Sequence, residues 1–168
     1  MDARNGNIYA ILNGNKQFII PVYQRLYSWE IPQCKRLWDD IVEMQKKNKN
    51  GHFVGSIVNV AEQAMPTGVQ KYLIIDGQQR LTTMYILLKA LYDTAKGVSV
   101  RIETEIQEVM FNRNCEEKYK LKLKPVKTDN EQLLLLVKDK IDDMDRNSNI
   151  YKNYITFKRK RRGDIYRL

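Results

Sequence analysis

Short apolar runs and helical stripes alternate along this chain. Ile8, Ile11 and Leu12 predict a short helix or turn ahead of a strand at 17–20. Cys34, Leu37, Trp38, Ile41 and Met44 recur three or four apart, the spacing of one helical face, with Pro32 tolerated in its first turn. The segment 46–51 predicts that helix's end: its lysines suit the negative end of the helix dipole and Gly51 suits a left-handed cap. Residues 53–60 read as β-rich, interrupted at Gly55, and residues 61–68, with Pro66, read as a hairpin-like connection to a strand at 70–75. From Gln78 onward Leu81, Met84, Tyr85, Leu88, Leu91 and Tyr92 return to helical spacing.

The second half has a different texture. Residues 100–113 predict a helix through Ile102, Ile106, Val109 and Met110. Tyr119, Leu121 and Leu123 alternate with Lys118, Lys120, Lys122 and Lys124, the signature of a strand with one apolar and one basic face. Thr128 and Glu131 form a capping box before the apolar run 133–137, and Ser148 is placed to cap a last helix carrying Tyr151, Tyr154 and Ile155. No internal repeat is evident. The pattern predicts an α+β core over residues 1–95, a mostly helical extension over 96–157 that packs on it, and a basic tail over 158–168.

A chain of 168 residues can bury one sizeable core, and 43% hydrophobic content fits a globular chain rather than a disordered one. No apolar run approaches the roughly 20 residues of a membrane span, and the first residues lack the apolar core of a signal peptide. Cys34 and Cys115 show no metal-ligand spacing and need not pair, so a reduced, cytoplasmic compartment is the simplest reading. The net charge of +9 invites a nucleic-acid partner, yet five of those nine charges come from residues 158–168. The body keeps an ordinary +4, weak support for DNA binding. The basic end reads as a non-specific phosphate binder, a frayed terminus or, the favoured reading, a cut in a longer protein.

The chemistry concentrates between Tyr72 and Met84. Leu73, Ile74 and Ile75 make a short buried strand that ends at Asp76-Gly77 and turns at once into the helix beginning at Gln78. A strand turning through glycine into a helix gathers unpaired N–H groups and the positive end of the helix dipole at one point. That is an anion site, to which Arg80 adds a fork of donors, Gln78 and Gln79 add neutral donors, and Thr82 or Thr83 a hydroxyl. The plainer alternative makes Asp76 an N-cap with Gln79 completing a capping box. An ionised Asp76 would repel a phosphate unless Arg80 or a cation lay between them, so a nucleotide ligand would bring Mg²⁺ to Asp76.

A second segment follows the strand at 17–20. Pro21 ends that strand or sets it at an edge. Beyond it Tyr23, Gln24, Arg25, Tyr27 and Trp29 offer the stacking faces and donors that a base-and-phosphate pocket needs. The alternative makes Tyr27 and Trp29 core aromatics and Arg25 a surface charge. No zinc ligand set and no nucleophilic triad has a recognisable frame, and the acidic run 142–145 reads as a solvated loop.

Three blocks, Ile20-Pro-Val-Tyr-Gln-Arg-Leu-Tyr-Ser-Trp29, His52-Phe-Val-Gly-Ser-Ile57 and Ile75-Asp-Gly-Gln-Gln-Arg-Leu-Thr-Thr83, together resemble the GmrS-type family. These are N-terminal, ParB/sulfiredoxin-like domains of bacterial modification-dependent restriction systems, many of them described only as domains of unknown function. The likeness continues more loosely through residues 119–125 and 150–154 and covers roughly 8–157. It implies a ParB/sulfiredoxin-like fold, a small mixed sheet with packed helices, that binds a nucleotide. Asp76, Gly77, Gln78, Gln79 and Arg80 would then form the phosphate and metal turn. Tyr23, Gln24 and Arg25 match the family's other signature, associated with the pocket and in some members with sensing modified DNA. His52, the only histidine, is by itself a surface residue; its place in the second block gives it an equal claim to touch the nucleotide or metal.

Three functions of different classes follow. The first is a nucleotide-binding regulatory domain (NTP with Mg²⁺) that licenses a nuclease domain or subunit, with hydrolysis left open. In it Arg80 neutralises phosphate charge and Asp76 positions Mg²⁺ or water. The second is a DNA-sensing module using Tyr23, Gln24, Arg25 and the basic strand, and the third an inactive fragment that mediates protein contacts. No His-Asn-His nuclease signature is present, so the chain is not expected to cut DNA alone.

Overall fold

A computed structural model describes residues 7–49, 53–63 and 68–164, the last four by backbone alone. Gly51, His52 and Pro66, each given a part in the sequence reading, lie outside the described residues. The chain opens with α1 (Ile8–Leu12), capped by the Asn7 side chain, and β1 (Lys16–Ile19). The predicted stripe becomes α2 (Ile31–Lys46), which buries Cys34, Leu37 and Trp38 and starts from a capping box between Glu30 and Gln33. Past its end Asn48 takes the left-handed conformation.

Next come β2 (Val58–Ala61), β3 (Gln70–Asp76) and α3 (Gln78–Ala95). The β-rich run expected over 53–60 is a strand only from Val58; residues 53–57 are irregular because their backbone lies against the turn before α3. The helix α4 (Val100–Met110) is capped by Ser99. The strand expected around 119–124 is for the most part not one. It comprises a helical turn, α5 (Glu117–Lys120), an isolated bridge from Leu121 to Phe111, and the two-residue β4 (Leu123–Lys124).

Lys122 explains that departure. It is 2% exposed, and its ammonium donates to the carbonyls of Leu12 and Glu108 at the C-terminal ends of α1 and α4. A cation there complements two helix dipoles at once. The predicted basic face therefore loses its central charge to the interior. After β4 come α6 (Lys127–Val137) and α7 (Asn149–Asp164). α6 begins one residue ahead of Thr128, with Val126 at its N-cap, so the expected Thr128–Glu131 box does not form. Ser148 does cap α7, accepting from the Tyr151 N–H at 3.1 Å.

The four strands form one mixed sheet in the order β2-β3-β1-β4. Strand β1 runs parallel to both β3 and β4, and β2 pairs antiparallel with β3. The fold is α+β, as expected. α3 packs against α4, α6 and α7, and α7 also packs on α2. One hydrophobic cluster runs from Leu12 through Phe18, Ile74, Leu81 and Tyr85 to Leu133, Tyr154 and Phe157, joining both halves of the chain. The basic stretch from Lys158 continues α7, with Lys158 bonded to the Tyr154 hydroxyl and Lys160 to Asp39 at 2.6 Å.

Because β1, β3 and β4 are parallel, their carboxyl ends share one edge of the sheet. There the loop 20–30, the 76–78 turn and the start of α6 meet. Crevices outside the carboxyl ends of parallel strands are where open α/β sheets place their ligands.

Candidate functional site

The strand β3 ends at Asp76, and the chain reverses through Gly77, whose φ of +92° suits glycine alone. A Cβ at Gly77 would lie 2.9 Å from the Ser56 carbonyl oxygen and 3.1 Å from the Ile57 Cα, so segment 53–57 closes directly over the turn. Gly77 rather than Asp76 is the N-cap residue, and no side chain among the described residues caps α3. The capping box offered for Asp76 and Gln79 is thus absent, and the N–H groups of the first turn of α3 have no capping acceptor.

Asp76 is instead an acceptor for Arg80, whose Nη2 donates to its Oδ2 at 3.2 Å and to the Ser56 carbonyl at 2.7 Å. This pairing offsets part of the repulsion that a bare carboxylate would present to an anion. The guanidinium is not fully used. Its Nε–H is enclosed without a partner among the described residues, while Gly55, at φ +101°, brings its backbone so close that a Cβ would sit 3.0 Å from that nitrogen. An unsatisfied buried donor costs about 1–3 kcal/mol and calls for an acceptor.

The glutamines divide. Gln78 is 8% exposed, and its amide has no hydrogen-bond partner among the described residues. The Gln79 amide is spent on the protein, accepting from the N–H groups of Ser28 and Trp29 at 2.8 and 3.2 Å and donating to the Leu26 carbonyl at 3.1 Å. It fixes the loop 20–30 rather than facing a ligand. Thr82 is buried, and the Thr83 hydroxyl bonds to that of Tyr27 at 2.7 Å. Tyr27 is a core aromatic, as the alternative reading had it, while Tyr23 and Arg25 are exposed beside the turn. Gln24 ties them to it, its amide donating to the Ile75 carbonyl at 3.0 Å. His52 precedes Phe53 and lies outside the described residues.

Sequence reasoning missed how the loop is held. The Tyr27 hydroxyl also accepts from Asn153 Nδ2 at 3.0 Å, and the same amide reaches the Trp29 carbonyl at 2.7 Å. Asp129 of α6 accepts the Tyr27 N–H at 2.7 Å, and Asn149 of α7 donates to its carbonyl. Burial pushes the Tyr27 hydroxyl far above its ordinary pKa, so it stays protonated as a donor, and the Asp129 carboxyl is raised for the same reason. The starts of α2, α3, α6 and α7 therefore converge on one loop. Nothing local in the sequence announces these distant partners; the second missed group, Gly55 and Ser56, had a signal in the glycine that breaks a strand-like run.

Among the described residues no group of three His, Cys, Asp or Glu side chains could hold a metal by itself. Asp76, 68% exposed at its side chain, offers one carboxylate. An open hollow of about 620 Å³ lies elsewhere, between the C-terminal halves of α2 and α7, and contains no residue of the turn.

The family model of the GmrSD restriction endonuclease N-terminal domain matches residues 8–166. The chain belongs to that family. Membership makes it a domain of a restriction, hence DNA-defence, protein. The match extends past residue 157, where the sequence reading ended the likeness, and takes in the basic stretch of α7. A search of curated proteins returned no match. No helix among the described residues is long and apolar enough to cross a membrane.

Proposed function

We propose that this GmrSD-type domain binds a nucleoside triphosphate with Mg²⁺ and that the bound state licenses a nuclease domain or subunit of the restriction system. The phosphates sit at the 76–80 turn, against the open N–H groups of α3, the Gln78 amide and the Arg80 guanidinium. The observation that carries this reading is Arg80: a buried Nε–H with no acceptor among the described residues, in the first turn of a helix whose start has no side-chain cap there. An anion admitted beneath the Gly55 segment supplies that acceptor.

Asp76 suits Mg²⁺ in the way that ion is usually held, by one or two carboxylates with phosphate oxygens and water completing its shell. The ion would screen phosphate charge and polarise the terminal phosphoryl group. Asp76 and Arg80 are the residues that would serve hydrolysis, if turnover accompanies binding. Gly77 presents the backbone, Tyr23 and Arg25 line the solvent side, Gln24 and Gln79 tie the loop 20–30 to the turn, and Thr82 is buried behind it. His52, one residue ahead of the 53–57 segment, is assigned to the nucleotide by its family block alone. The rival DNA-sensing reading is weakened, because the basic strand it used turns Lys122 inward.

Calorimetric titration with each NTP and Mg²⁺, with phosphate release followed in the same samples, tests this. Arg80→Ala should lose a charge-assisted contact of roughly 1.5–3 kcal/mol, about ten- to a hundredfold in affinity. Gln78→Ala, which breaks no hydrogen bond among the described residues, should weaken binding without loss of fold. Unchanged affinity in both folded variants would overturn the phosphate assignment.

A further inference from the structure

Half of the ten exposed large apolar side chains among the described residues stand around one turn: Val22, Tyr23, Leu26, Phe53 and Ile75. Scattered exposed apolar residues are ordinary, but a cluster beside a polar site is a binding surface. Phe53 is 84% exposed at the head of the segment that closes over Gly77 and Arg80. Chain geometry holds its Cα within about 7 Å of that of Gly55, whose backbone touches the Arg80 side chain.

The sheet order puts a second aromatic on the other flank. With β3 between β2 and β1, segment 53–57 lies on the β2 side of the β3 end and the loop 20–30 on the β1 side. Tyr23, 74% exposed, is the neighbour of Gln24, which bonds the Ile75 carbonyl. Two exposed rings from different segments thus flank a turn where the Arg80 Nε–H and the first N–H groups of α3 lack acceptors among the described residues. An apolar protein partner would leave Arg80 and the uncapped α3 start unsatisfied; a nucleotide offers a flat π-face and phosphate oxygens together.

We propose that Phe53 is a base-binding residue, stacking on the base of the nucleotide and forming with Tyr23 the base side of the site. This rests on the 76–80 turn holding the phosphates. Stacking is tolerant of base identity, so the site selects for the presence of a base more than for its kind.

The test compares Mg²⁺–NTP with Mg²⁺–inorganic triphosphate, which has the phosphates and no base, by calorimetric titration of the full chain. Phe53→Ala should weaken NTP binding about tenfold and leave inorganic triphosphate unchanged, while Phe53→Trp keeps NTP affinity. Arg80→Ala should weaken both. Phe53→Ala with the same effect on both probes, or on neither, while the native chain binds NTP, overturns the base contact and spares the phosphate site. A native chain that binds neither probe overturns both.

Discussion

Gly77 meets two demands that other residues cannot. Its left-handed φ would strain any side chain, and a Cβ would press into the Ser56 carbonyl. Gly97 shares only the first demand: its φ is +76°, but a Cβ there meets nothing within 4 Å. Gly97→Ala should therefore cost about 1–3 kcal/mol from backbone strain, and Gly77→Ala clearly more. Urea denaturation of the two variants measures the difference, and equal losses would contradict the close approach of segment 53–57. Lys122 is the second informative residue. Burial, with repulsion from Lys16 and Arg113 outweighing attraction to Glu108, pushes its ammonium down to about 8 from an ordinary 10.5. Between those values the unfolded chain binds the extra proton, so the folded state gains stability as pH rises from about 8 to 10.5. Comparison with Lys122→Met across that range should show the gain in the native chain alone; a constant difference between the two would contradict it.

Elements set by their own periodicity were legible in the sequence, while those set by distant groups were not. The stripes over 34–44 and 81–92 gave α2 and α3, and the apolar run before Asp76 gave β3. The irregular 53–57 segment and the broken 119–124 strand depend on partners that no local pattern reveals: the bare Gly77 turn in one case, two helix ends in the other. The motif turn itself was readable, but the division of labour within it was not. Gln78 and Gln79 are adjacent and alike in chemistry, yet helix geometry turns one amide onto the loop 20–30 and leaves its neighbour without a partner among the described residues. That loop is an element in its own right, anchored at Tyr27. Tyr27→Phe strips a hydroxyl from buried Thr83 and Asn153 and should destabilise the fold by about 1–3 kcal/mol. A thermal or urea shift near zero would show that the anchoring lies elsewhere.

At the scale of the molecule, the sheet takes its fourth strand from beyond residue 95, and α7 packs on both α2 and α3. One core of this kind unfolds as one unit. Fluorescence of Trp29 and Trp38, both in the first half, should therefore follow the same urea transition as far-UV circular dichroism, and residues 1–95 expressed alone should not fold. Two separated transitions would instead divide the chain near residue 95. The same integration places the candidate ligand site where four helix starts and three parallel strand ends meet, so its residues are held from every part of the chain.

The most direct measurement is an amide NMR titration of the native chain with Mg²⁺–NTP. Saturable shifts centred on the amides of residues 55–57 and 76–80 are the expected result. Saturable binding whose shifts leave those residues unmoved would contradict the assignment of the phosphates to the Asp76–Arg80 turn.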